Sequence, residues 1–229
     1  MIPIQDNIPT HRFAIITVLI ILLNALVFGV ELLWTTGGDA AIRALGIIPA
    51  QATADPLAAE TLRRLLTSMF THAGVLHIGS NMLYLWIFGN NVEDVMGRLR
   101  FLLFYLLCGA AAAAAQILVN PSSSIPMVGA SGAVAGVLGA YLLLFPRARV
   151  RTLVFFGYFG RLVDLSALWV LGLWFVLQLF NGLLVIGAAQ ANMGGVAFWA
   201  HIGGFVAGML LVWPFLIGRP RPQISRRSF

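Results

Sequence analysis

The sequence has no lysine, a single cysteine (Cys108), and only 14 basic and 8 acidic residues among 229. A soluble domain is about 25% charged, whereas this chain is 10% charged and 60% hydrophobic, with a mean hydropathy of +0.92. So few charges cannot cover a globule of this size. A soluble enzyme, a disordered regulator and a disulfide-stapled secreted module are excluded. Without lysine there is no Ser–Lys catalysis and no Schiff-base chemistry. Cys108 lies in an apolar run, has no partner in the chain, and reads as a small packing residue. The net charge of +6 does not point to nucleic acid, because the arginines stand singly or in pairs beside apolar runs. An integral membrane protein remains.

A bilayer core about 30 Å thick needs roughly 20 apolar helical residues to cross it. Six runs qualify: Phe13–Trp34, Gly74–Asn91, Phe101–Leu118, Met127–Phe145, Leu165–Gly187 and Val196–Ile217. They predict an all-α membrane protein, a six-helix bundle forming one domain over residues 1–229, with no repeat or low-complexity tract. The first run is too long for a signal peptide and no small-x-small site follows it. The lack of a targeting presequence points to a bacterial or archaeal cell membrane. The termini and the even-numbered loops carry eleven arginines and the opposite side only Arg43, Arg63 and Arg64, which places both termini in the cytoplasm. The long first outer loop, about 35–73, is expected to be structured. Asp55-Pro56 reads as an N-cap and first helical residue. Leu57, Leu62, Leu65, Leu66 and Met69 then form an apolar side, and Glu60, Arg63 and Arg64 are available to headgroups.

Ionisable residues inside spans are costly and mark function. His77 falls in the second span and His201 in the sixth, while Ser131 opens the fourth between Gly129 and Gly132. All three helices run from outside to inside, which sets the three residues at a common depth, roughly 5–8 Å at 1.5 Å per residue. Gly204 and Gly208 share a face with His201, and Ala135 and Gly139 share one with Ser131, with Gly132 and Gly136 alongside. Such small-residue surfaces let two backbones approach closely, so Ser131 is expected to meet His201. No carboxylate lies in the fourth or sixth span, so the arrangement reads as a Ser–His dyad without an acidic third member. His77 and Asn81, at i and i+4, aim side-chain donors one way, as an oxyanion requires. Their alternative role is interhelical glue. No zinc motif and no intramembrane aspartate pair is present, so neither metal nor cofactor is expected.

These residues resemble the rhomboid intramembrane serine proteases. Gly129-Ala130-Ser131-Gly132 is similar to that family's Gly-x-Ser-Gly nucleophile motif, and Ala200-His201-Ile202-Gly203-Gly204 with Gly208 to its Ala-His-x-x-Gly-x-x-x-Gly. His77 and Asn81 fit its His-x-x-x-Asn; Arg64, Thr67, Phe70 and His72 fit its first-loop signature; Glu93, Gly97, Arg100, Phe101 and Tyr105 fit the entry to its third helix. The resemblance spans about Arg64–Gly208 and implies the minimal six-helix form. It implies catalytic Ser131 and His201, an oxyanion site of His77, Asn81 and the Ser131 N–H, and substrates that are transmembrane proteins with a small residue before the cut. It also implies a cap, here about Ala188–Gly195, that admits substrate from the lipid together with the fifth helix. Two positions depart: Arg63 stands where the family has Trp, and Ala135 where many members place an aromatic ring against the histidine. Trp199 or Phe198 is the candidate to replace that ring. The competing class is a non-proteolytic relative that binds transmembrane helices; Ser131→Ala separates the two. Partners are thus membrane lipids and transmembrane segments, with oligomeric state open.

Overall fold

A computed structural model describes residues 1–33, 38–157, 159–187 and 196–219. A short strand, β1 (Ile2–Asp6), precedes α1 (Ile15–Leu33); α2 (Gly38–Leu45), α3 (Pro49–Ala54) and α4 (Ala59–Ser68) come next. Then α5 (Val75–Tyr84) passes through one π-helical turn, Leu85–Gly89, into α6 (Asn90–Met96). The chain continues with α7 (Arg98–Val119), α8 (Ser131–Leu144), the strands β2 (Arg149–Phe156) and β3 (Phe159–Ser166), α9 (Ala167–Gly187) and α10 (Phe198–Phe215). Helices α1, α7, α9 and α10 are long and apolar enough to cross a membrane.

Two of the expected spans differ in form. The second is a continuous helical run over Val75–Met96, interrupted by the π turn where α1 crowds it: a methyl on Gly89 would lie 3.3 Å from Thr17 Cγ2. The fourth does not begin at Met127. Residues 127–130 stand outside the helix, Met127 pairs with Ile47 in an antiparallel bridge, and α8 starts at Ser131.

Helix α1 begins without a local cap and borrows one. The buried Glu93 carboxylate accepts Ile16 N–H at 3.0 Å and Thr17 N–H at 2.7 Å, and Asp94 takes the N–H groups of His11 and Arg12. An anion at a helix start satisfies orphan donors and complements the dipole. At the other end of the bundle, Arg100 donates to the carbonyls of Phe215 and Ile217 and closes α10.

Residues 38–68 hold three helices, and the expected cap is misplaced within them. Asp55 terminates α3 instead of opening a helix, and α4 starts at Ala59. Nor are Arg63 and Arg64 held free for headgroups. Arg63 bonds the Ala44 carbonyl, Arg64 those of Arg43 and Gly46, and Thr67 Oγ1 that of Leu45, so α4 caps the end of α2. Glu60 grips both arginines, and their hydrogen bonds hold its carboxyl down at about 2. Arg63 thereby anchors this segment in its own way.

The residues after α8, expected as loop, form β2 and β3, which together with the N-terminal β1 make a three-stranded antiparallel sheet in the order β1-β2-β3. Val150 and Thr152 face inward and are fully buried, while Arg151 pairs with Asp164 on the outer face. At the end of β1, Asp6 is buried and accepts from Tyr141 O–H and from Asn91 Nδ2–H at 2.8 Å. Arg151 lines the neighbouring cavity with Asp6 and Trp86.

Burial outweighs these hydrogen bonds and raises the Asp6 carboxyl from 3.8 to about 6. The native state therefore holds a proton that the unfolded chain releases near 3.8. The Asp6 contribution to stability is present below that pH, falls as pH rises, and is gone above about 6. Two pH units correspond to about 3 kcal/mol. Asp6→Asn keeps an acceptor and does not titrate. Thermal unfolding in detergent should show the wild type losing stability relative to Asp6→Asn between pH 4 and 6, with a constant difference at higher pH.

Candidate functional site

Ser131 occupies the first position of α8 because the preceding turn is held from three directions. Gly129 N–H donates to Ser68 O at 2.8 Å, Met127 is bridged to Ile47, and Ala130 N–H donates to His72 Nε2 at 3.4 Å. Gly129 takes φ +123°, a conformation that side chains oppose. The first N–H groups of α8 have no intrahelical acceptor, so the Ser131 hydroxyl sits beside unused backbone donors at the positive end of a helix.

His77 projects from α5 onto this turn. A methyl placed on Gly129 would lie 2.7 Å from His77 Nε2 and 3.5 Å from Ser131 Oγ, so ring and hydroxyl border the same glycine. His77 Nδ1 accepts Ala73 N–H at 3.4 Å, which assigns the ring proton to Nε2 and makes that atom a donor on the Gly129 side. Asn81, one turn further along α5, is buried, and its Nδ2 has no partner among the described residues. A buried amide N–H left open is costly, and is expected where a ligand supplies the acceptor.

His72 supports the turn. Its Nδ1 contacts Phe70 O at 3.3 Å, its Nε2 accepts from Ala130, and its ring meets that of His77 edge-on at 5.1 Å. Burial first, and then neighbouring His77, pushes its pKa down to about 4, so the ring stays neutral and able to accept. The sequence pattern named His72 only within a signature; its bond to Ala130 comes from packing.

Helix α10 meets α8 backbone to backbone. A methyl on Gly204 would lie 2.0 Å from Gly132 O, one on Gly208 1.9 Å from Gly136 O, and one on Gly139 2.1 Å from Phe205 O. Gly136 also faces Cys108, which is buried packing. This contact brings Ala200 O against Gly132 and sets His201, the next residue, beside the start of α8. Among the described residues no hydrogen bond joins Ser131 Oγ to His201. Instead, His201 Nδ1 lies 2.8 Å from Gln178 Oε1 on α9, and Trp174 packs on the ring at 5.8 Å between centroids. The aromatic neighbour is thus Trp174. Trp199, by contrast, donates to Gly182 O. Gln178 and Trp174 were not singled out by pattern; the only signal was an amide four residues after a tryptophan in an apolar run.

Chemically, the site offers a hydroxyl, an imidazole on the adjacent helix, and donors from His77, Asn81 and the α8 backbone. A small cavity beside Ser131 is lined by Ser68, Met127, Gly129 and Ala197. Among the described residues no cluster of His, Cys, Asp and Glu is able to hold a metal. Residues 188–195, expected as a cap, lie outside the described residues. Gly129→Ala should keep the fold but drive a methyl into His77 and strain the turn. Any reaction at Ser131 should slow by about 10²-fold or more, as one misplaced oxyanion donor does, with the unfolding temperature measured alongside.

The Rhomboid domain description matches residues 59–218. RHOMBOID-like protein 1 of Arabidopsis thaliana is 33% identical over 160 residues, covering 70% of this chain and 35% of that protein. Rhomboid protease GluP of Bacillus subtilis (strain 168) is 44% identical over 79 residues, 34% of this chain and 15% of its own length. Rhomboid protein 1, mitochondrial, of Saccharomyces cerevisiae is 30% identical over 155 residues, 65% of this chain and 40% of that protein. The matched region is thus less than half of each of these relatives.

Proposed function

The chain belongs to the rhomboid family, and from that premise we propose that it is an intramembrane serine endopeptidase with Ser131 as nucleophile and His201 as general base. In this reading α1, the run from α5 to α6, α7, α8, α9 and α10 all cross the cell membrane. Both termini and the arginine-bearing sheet lie in the cytoplasm. Helix α8, with 14 residues, spans about 21 Å of a core about 30 Å thick, which sets Ser131 about 9 Å below the outer surface.

His201 Nε2 takes the Ser131 proton as Oγ attacks the carbonyl of a substrate's transmembrane segment. The oxyanion accepts from His77 Nε2–H, Asn81 Nδ2–H and Ser131 N–H. The imidazolium then protonates the leaving amine, and water resolves the acyl-enzyme with His201 again as base. The observation that carries this reading is the buried Asn81 amide, left without a partner on the helix that also aims His77 at the Ser131 turn. The open Ser131–His201 contact accords with unliganded sites, where catalytic hydrogen bonds are often long and tighten on substrate.

The absence of that bond also favours, as the second reading, a non-proteolytic protein that binds transmembrane helices. Cleavage of a single-span reporter in proteoliposomes decides between them. Proteolysis abolished by both Ser131→Ala and His201→Ala establishes the dyad. Binding of the reporter without any cleavage by the wild type establishes the alternative.

A further inference from the structure

We infer that Gln178 is the positioning residue of the dyad, its side-chain carbonyl holding His201 in the tautomer and orientation needed to accept the serine proton; the inference rests on the protease reading above. A Ser–His pair without a carboxylate has a physical problem. Neutral imidazole has two tautomers, and only the one protonated on Nδ1 leaves Nε2 free to act as base. Gln178 Oε1, 2.8 Å from His201 Nδ1, is an acceptor only and therefore selects that tautomer. A net hydrogen bond of this kind biases the two forms roughly tenfold.

The supporting contacts are built along one stripe of α9. Trp174, Gln178 and Gly182 stand at i, i+4 and i+8 and so share a face. Trp174 packs on the His201 ring at 5.8 Å and on Phe205 at 6.0 Å, and the Gly182 carbonyl accepts Trp199 Nε1–H at 3.2 Å. The whole stripe engages α10 on both sides of His201. Asn181, the other amide here, bonds its own helix at Leu177 O and contributes nothing to the base. A neutral amide also suits the location, since a carboxylate on an apolar helix would carry a heavy desolvation cost. When Ser131 Oγ passes its proton to Nε2, Nδ1–H stays on Gln178, whose carbonyl dipole then faces an imidazolium.

The test compares wild type, Gln178→Leu and Gln178→Glu in proteoliposomes with the single-span reporter, together with ¹⁵N shifts of labelled His201 and the unfolding temperature. Gln178→Leu should lower kcat about tenfold or more with KM unchanged, and the Nδ1–H signal should give way to a tautomer mixture. Gln178→Glu should retain more activity than Leu. Its carboxylate stabilises the imidazolium, so the acidic limb of its rate profile should move to higher pH than in the wild type. A Gln178→Leu protein that unfolds at lower temperature yet keeps the wild-type kcat, pH profile and tautomer would reduce Gln178 to interhelical glue and overturn the inference. Should the wild type show no Ser131-dependent cleavage, the protease reading fails separately. The tautomer measurement still decides, since an unchanged His201 signal in Gln178→Leu refutes positioning and a lost Nδ1–H signal upholds it.

Discussion

Gly208→Val is expected to destroy the bundle's central contact and with it all activity. Even a methyl on Gly208 would sit 1.9 Å from Gly136 O and 2.7 Å from Gly136 Cα, and those atoms are backbone with no rotamer to retreat into. One turn away Gly204 meets Gly132 O in the same way, so α10 cannot tilt about one site without losing the other. Ordinary overpacking costs about 1–3 kcal/mol; a branched side chain against backbone belongs at or above the upper end. Separation of the helices also displaces His201 from Ser131, and about 1 Å of misplacement is worth about 10²-fold in rate. Gly172→Ala is the control. Nothing lies within 4 Å of the added methyl, and loss of a helical glycine should stabilise α9 by up to about 1 kcal/mol. Unfolding temperature and reporter cleavage, measured on both variants, separate the two outcomes.

The second large effect is at the reacting groups. Ser131→Ala removes the only hydroxyl on the Gly129 turn and should lower kcat by about 10⁵–10⁶-fold, to background. His201→Ala should fall nearly as far, because an unactivated serine is a poor nucleophile. The double variant should be no worse than either single one, since residues that act as a unit are not additive. Neither change should unfold the protein: the Ser131 hydroxyl has no hydrogen-bond partner among the described residues, and His201 holds only Gln178 and its ring contacts. Residual activity above background in Ser131→Ala would point to another nucleophile.

The range of the forces involved decides which features are legible in the sequence. The apolar runs of α1, α7, α9 and α10 announce themselves because lipid demands length and low charge. Ser131, His77 and His201 were legible because polar groups in such runs are expensive, and the flanking glycines told which helices approach. The start of α8 was not legible. Met127–Ala130 is as apolar as the helix it leads into, and the Gly129 backbone conformation, the bridge to Ile47 and the bonds to Ser68 and His72 hold it out of that helix. The sheet was hidden for a related reason. Its alternation, Val150-Arg151-Thr152, is brief, and its partner β1 lies nearly 150 residues earlier in the chain. Gln178 shows the limit most clearly. In sequence it is equivalent to Asn181, and only the packing of α9 on α10 turns one toward His201 and the other onto its own backbone.

The central claim, that Ser131 is a nucleophile activated by His201, is tested most directly by covalent labelling. The reconstituted wild type and His201→Ala would be treated with a serine-directed fluorophosphonate and analysed by intact mass and peptide mapping. A single adduct on the Ser131 peptide, formed in the wild type and slowed at least a hundredfold in His201→Ala, is the result expected of an imidazole-activated hydroxyl. An adduct at another residue, or labelling of Ser131 at the same rate in both proteins, would contradict it.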